Sequence, residues 1–171
     1  MDLREGKKQS EKECVERFLF GEDYLKMEQN NCLDKKGVDV LVHINNKEFK
    51  KFQIVNADKN QAGKIGVYSA ERRKHRRKIV LFARSNKTIF KKFDNEVETT
   101  CADVVCSIRE KIEKYRQQNK DINDIVLLAD DAGDIPASIL SQMKADNLCL
   151  LEGSGFKEIW YVGMNSKFKL Y

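Results

Sequence analysis

Apolar positions along the chain change period several times, and each change predicts an element. Cys14, Val15, Phe18 and Leu19 recur at helical spacing behind Ser10-Glu11-Lys12-Glu13, a stretch with the form of an N-terminal capping box. The pattern predicts a helix over residues 11–20, with Gly21 as its stop and a resumption through Tyr24-Leu25. Residues 34–37 read as a turn. From Val38 the period drops to two: Val40, Val42 and Ile44 alternate with Asp39, Leu41 and His43, and a second strand is predicted over 48–55. Asn45-Asn46 suits a two-residue hairpin turn, because Asn tolerates the left-handed backbone such turns need.

Beyond the hairpin, residues 58–66 are polar and contain Gly, as a loop would. Ile79 to Ala83 reads as a buried strand, and residues 88–93 as a further short one. Thr100 and Asp103 form a second cap-like pair. Behind it, Val104, Val105, Ile108, Ile112 and Tyr115 mark an amphipathic helix to about residue 118. Ile125 to Ala129 is a compact apolar strand. Pro136 suits the first turn of a helix reaching about Ala145. Strands are expected over 156–162 and 168–171. The order of elements predicts one α/β (α+β) domain spanning residues 1–171, a mixed β-sheet flanked by helices.

A chain of 171 residues is long enough to bury a substantial core. With 41% hydrophobic and 35% charged residues, it belongs to the soluble globular class. No apolar run approaches the roughly 18 residues of a membrane span, and MDLREGKKQSEKE lacks the apolar centre of a signal peptide, so no membrane partner is expected. The five Cys are odd in number and never spaced as CxxC. This argues against a disulfide framework or structural zinc site, and for a reducing, cytoplasmic setting.

Charge changes the picture more. Residues 47–94 hold 15 Lys and Arg against 4 Asp and Glu, a local +11, while the remainder of the chain carries −6 to give the overall +5. Within that block Arg72, Arg73, Lys74, Arg76, Arg77 and Lys78 place six formal positive charges in seven residues, interrupted only by His75. Such asymmetry points to a polyanionic partner, nucleic acid first and duplex DNA in particular, with the 72–78 run as phosphate contacts. A solvated basic face, or an adaptor surface for an acidic protein, is the alternative. No aromatic residue interrupts the run, so base stacking is not signalled there. A homodimer is compatible with the sequence, which does not itself set the oligomeric state.

The hairpin carries the candidate chemistry. Asp39 opens its first strand, and Gln53 sits within the second, where an apolar residue would be easier to bury. A helix bearing acidic residues, then GVDVLV, a turn and KFQIV, resembles the core of the PD-(D/E)XK nuclease superfamily, the restriction-endonuclease-like fold, over residues 10–60. The resemblance implies a metal-dependent endonuclease hydrolysing phosphodiesters of DNA with Mg²⁺. Asp39 would be the main metal ligand. Gln53 would supply an amide oxygen and Ile54 a carbonyl oxygen. Glu13 or Glu16 from the first helix would complete the shell. The family's lysine, two residues beyond Gln53, is replaced by Val55. Lys51 lies on the same strand face one repeat early, and Lys59 and Lys64 follow downstream, so these three are the candidate charge-stabilising cations. The competing readings are a catalytically inactive nucleic-acid-binding module on the same fold, or an unrelated fold. In the last case Asp39 caps a turn and Gln53 is a hydrogen-bonded network amide.

Asp130, Asp131 and Asp134 follow the predicted 125–129 strand and form a second metal candidate of the kind seen in toprim-like folds. Their simpler reading is a turn with favourable charge beside a helix N-terminus. His43 and His75 fall on different elements, which leaves little for a His-based triad or zinc site. Trp160 and Tyr161 read as core.

Overall fold

The computed structural model describes residues 3–29, 31–57, 101–131 and 133–171. The expected loop over 58–66, the strands over 79–83 and 88–93, Thr100, Lys59, Lys64 and the 72–78 basic run all lie outside the described residues.

Among the described residues, six strands form one mixed sheet in sequence order: β1 (Lys26–Glu28), β2 (Val40–His43), β3 (Phe49–Asn56), β4 (Ile125–Asp130), β5 (Glu158–Val162) and β6 (Lys167–Lys169). The first three strands pair antiparallel, β3–β4 and β4–β5 pair parallel, and β6 returns antiparallel on β5. Helix α1 (Leu3–Phe18) covers one face. Helices α3 (Cys101–Gln117), α4 (Ala137–Asp146) and α5 (Leu148–Glu152) belong to the crossovers of the two parallel pairs, and the short α2 (Asn31–Lys36) lies between β1 and β2. Both crossovers step the same way along the sheet. Given their fixed hand, their helices then fall on one face and leave the other to α1.

Strand alternation divides the core accordingly. Val40, Val42, Phe52, Val126, Leu128 and Val162 meet Cys14, Val15, Phe18 and Leu19 of α1. On the other face Val55, Leu127, Ala129, Ile159 and Tyr161 meet Val104, Ile108, Ile112 and Tyr115 of α3 and Leu140 and Met143 of α4. The central strand β4 is buried on both faces from Ile125 to Ala129, which explains why it reads as an unbroken apolar run. Each fully buried large apolar side chain contributes about 1.5–3 kcal/mol.

Several boundaries differ from expectation. The first helix begins at Leu3, so Ser10 and Glu13 lie within it and form no capping box. Glu5, Lys7, Lys8 and Gln9 are good helix formers, and Lys7 pairs with Glu11 one turn on at 3.0 Å. Gly21 does end this region, at φ +85°. Instead of a helix resuming at Tyr24-Leu25, the chain enters edge strand β1, while α2 occupies much of the expected turn. The hairpin is present, but its connection is longer than Asn45-Asn46: the ladder ends at His43–Phe49. The Asn45 side chain organises the loop, its Oδ1 accepting from the amides of Lys47 and Glu48 at 2.9 Å each.

Candidate functional site

The described part of the candidate site is built where β2 runs out beside β3. The Asp39 amide donates to the Phe52 carbonyl at 2.9 Å, which fixes Asp39 opposite Gln53, just before β2 begins at Val40. Ile54, one residue further along β3, therefore turns its backbone toward a place where β2 offers no strand partner. Side chains fill the gap. Asp39 Oδ2 accepts the Ile54 N–H at 2.9 Å, and Gln53 Nε2 donates to the Ile54 carbonyl at 3.2 Å. The same Nε2 donates to Asp39 Oδ2, so the two amide protons are aimed at two oxygens.

Helix α3 holds the other end of the Gln53 amide. The Tyr115 hydroxyl contacts Gln53 Oε1 and, at 3.0 Å, the Gly37 carbonyl oxygen. Gln53 is only 2% exposed, so this network satisfies an amide that would otherwise be costly to bury. Its orientation follows from its neighbours: turned over, Gln53 would aim an oxygen at a carboxylate and a carbonyl with no proton between them. Gly37 is required here on two counts. Its φ of +80° favours glycine, and a Cβ would lie 3.0 Å from Tyr115 Cζ and Oη.

Asp39, Gln53 and Ile54 are thus brought together, with the Asp39 and Gln53 side chains on the α3 face of the sheet. Glu13 and Glu16 are not part of this group. They lie on α1, which packs on the opposite face; Glu13 accepts from Gln9, and Glu16 faces Lys12 at 4.0 Å. Lys51 is on the correct face but is engaged with Asp124, and its Nζ sits 5.6 Å from the Phe49 ring centroid. Tyr115 and Gly37 are the participants that sequence reasoning missed. In sequence Tyr115 reads as part of the apolar stripe of α3, yet a buried tyrosine needs a partner for its hydroxyl, and that is the available signal.

The second carboxylate group is dispersed among separate partners. Asp130 meets the Arg17 guanidinium, which also donates to the Gly163 carbonyl at 2.9 Å and ties α1 to the ends of β4 and β5. Asp131 accepts from the Tyr161 hydroxyl at 2.7 Å and from the Gly133 amide at 3.0 Å. Asp134 accepts from Ser166 Oγ and from the backbone and side chain of Asn165. Burial pushes the Asp134 carboxyl up, but those hydrogen bonds outweigh it and hold the group below its ordinary range. Among the described residues, no three or more His, Cys, Asp or Glu side chains are grouped to hold a metal ion. His43 is remote from both groups, with Nε2 3.4 Å from Glu28. No described helix is long and apolar enough to cross a membrane.

No family model, curated protein or solved structure matches this chain.

Proposed function

We propose that this chain is a nucleic-acid-binding protein of restriction-endonuclease-like design in which the Asp39–Gln53 pair closes the end of the β2–β3 ladder in place of holding a catalytic metal. One observation carries the second half of that reading: the Gln53 amide nitrogen lies between Asp39 Oδ2 and the Ile54 carbonyl, donating to both. The NH₂ group occupies the point where a cation would sit and gives each of the two converging oxygens a hydrogen-bond donor, without adding charge. The binding half rests on the +11 block of residues 47–94, with Arg72, Arg73, Lys74, Arg76, Arg77 and Lys78 as phosphate contacts.

A second reading, a Mg²⁺-dependent DNA endonuclease, is favoured by the same convergence. The donor chemistry fits a hard cation: turning the Gln53 amide over would present an oxygen beside Asp39 Oδ2 and the Ile54 carbonyl. With one carboxylate, the site would rely on water and substrate phosphate for its remaining ligands. A bound Mg²⁺ would activate water and stabilise charge on the phosphate. Of the chain's own groups, Asp39 would hold and orient the ion, Gln53 and Ile54 would complete the protein's share of the shell, and Lys51, Lys59 or Lys64 would stabilise developing negative charge.

A cleavage assay on labelled duplex DNA with Mg²⁺ and Mn²⁺, run beside a gel-shift salt series, separates the two. The proposal expects binding of about micromolar affinity at low salt that weakens steeply as salt rises, with no metal-dependent cleavage. Metal-dependent cleavage that disappears in both Asp39→Ala and Asp39→Asn would install the endonuclease reading instead. Asp39→Asn is included because the alanine variant also uncovers the Ile54 N–H, at about 1–3 kcal/mol.

A further inference from the structure

Lys111 on α3 and Lys120 just beyond its end converge on one aromatic ring. Lys111 Nζ lies 5.3 Å, and Lys120 Nζ 5.0 Å, from the centroid of Tyr115. The two ammonium groups are therefore no further apart than the sum of those distances. Tyr115 is buried, and its hydroxyl contacts Gln53, the residue bonded to Asp39. Neither lysine belongs to the 47–94 basic block, and charge counting along the chain passes over both, because Glu110, Glu113, Asp121 and Asp124 are interspersed with them. The i, i+4 spacing of Lys111 and Tyr115 and the turn that follows α3 bring the two cations onto the ring that the Asp39–Gln53 network leans on.

We propose that Lys111 and Lys120 form a phosphate-binding pair that seats the nucleic-acid backbone across the C-terminal end of α3, beside Asp39 and Gln53. This deepens the nucleic-acid reading above and rests on it. A phosphate that meets two ammonium groups gains two charge-assisted contacts and releases counterions. The partly buried stems matter too. Both lysines are half-buried, so packing against Tyr115 limits the side-chain freedom that binding would otherwise have to freeze. A strand of duplex DNA carries one charge per about 3.4 Å of axis, so two ammonium groups at this spacing can meet different phosphates of one strand.

Fluorescence anisotropy of a labelled mixed-sequence duplex, measured over a salt series with the full chain, tests the pair. Lys111→Gln/Lys120→Gln removes both charges and keeps much of each stem against the ring. Lys7→Gln/Lys12→Gln on α1 removes the same net charge from the opposite face of the sheet. The pair predicts that the slope of log K against log salt falls by about two in the first variant and stays at the wild-type value in the second. A wild-type slope in Lys111→Gln/Lys120→Gln overturns this inference alone, as does an equal fall in both variants, which would show that net charge and not position is responsible. Absence of any binding by the wild-type chain would remove the nucleic-acid reading and this site with it. Circular dichroism and thermal melting establish that each variant is folded before its slope is read.

Discussion

Replacing Gln53 by Glu tests the Asp39 locus more directly than removing Asp39 does. The wild-type amide donates to Asp39 Oδ2 and to the Ile54 carbonyl, while Tyr115 satisfies its oxygen. An ionised carboxylate at position 53 keeps the Tyr115 contact but loses both donations and meets Asp39 as a like charge in a buried setting. At about 4 Å and an effective dielectric constant near 20 the repulsion alone is about 4 kcal/mol, and a lost hydrogen bond to a charged group adds about 1.5–3 kcal/mol. The pair escapes part of this by taking up a proton, so its apparent pKa in the folded state rises. The net loss expected at neutral pH is about 3 kcal/mol, or about 6–12 °C of melting temperature for a chain of this size. The sign of the pH dependence follows. A carboxyl whose folded pKa is raised destabilises the fold as pH climbs through it, so the deficit relative to wild type should shrink on acidification. Mn²⁺ should reverse it at neutral pH, because two carboxylates and the Ile54 carbonyl then surround one point; saturation at 100 times the dissociation constant returns about 2.7 kcal/mol. Scanning fluorimetry at two pH values across a Mn²⁺ titration reads all three effects. A wild-type chain stabilised by Mn²⁺ as strongly as the variant would refute the idea that the Gln53 amide fills a cation's place. So would a variant as stable as wild type at neutral pH without metal.

Gly37→Ala should cost about 2–4 kcal/mol in chemical denaturation, combining the left-handed backbone at φ +80° with a Cβ pressed to 3.0 Å from the buried Tyr115 ring; a loss under about 0.5 kcal/mol would show that the turn relaxes freely. Cys14 should resist alkylation in the folded chain, whereas exposed Cys32 and Cys149 are modified. Burial first, and then Asp130, push its thiol well above the ordinary range, with Arg17 opposing, so little thiolate is present to react. Mass spectrometry of iodoacetamide-treated protein checks this, and native labelling of Cys14 at the rate of Cys32 would contradict the packing of α1.

Much of the fold was legible because its signals are local. Period-two alternation from Val38 to Ile44 marked β2, the five-residue apolar run at Ile125 marked a strand buried on both faces, and the stripe from Val104 to Tyr115 marked α3 within a residue or two. Burial of one face imposes such a period wherever the element sits, so the period survives without knowledge of the neighbours. Elements stabilised mainly by what lies beside them were missed: edge strand β1 has three residues and exists through its pairing with β2, and α5 has only five. Asp39 and Gln53 could be named as a pair from spacing along a hairpin, since alternation puts facing residues on one side. What the pair does could not be read there. The end of β2 that leaves Ile54 without a strand partner on that side, the Tyr115 hydroxyl arriving from 62 residues away, and the placement of α1 with Glu13 and Glu16 on the far face all depend on packing between elements distant in sequence. Hydrogen-bond partners are chosen by three-dimensional proximity. The chain alone therefore determined which side chains carry polar chemistry, and only the tertiary structure decided that the Gln53 amide turns its nitrogen toward Asp39.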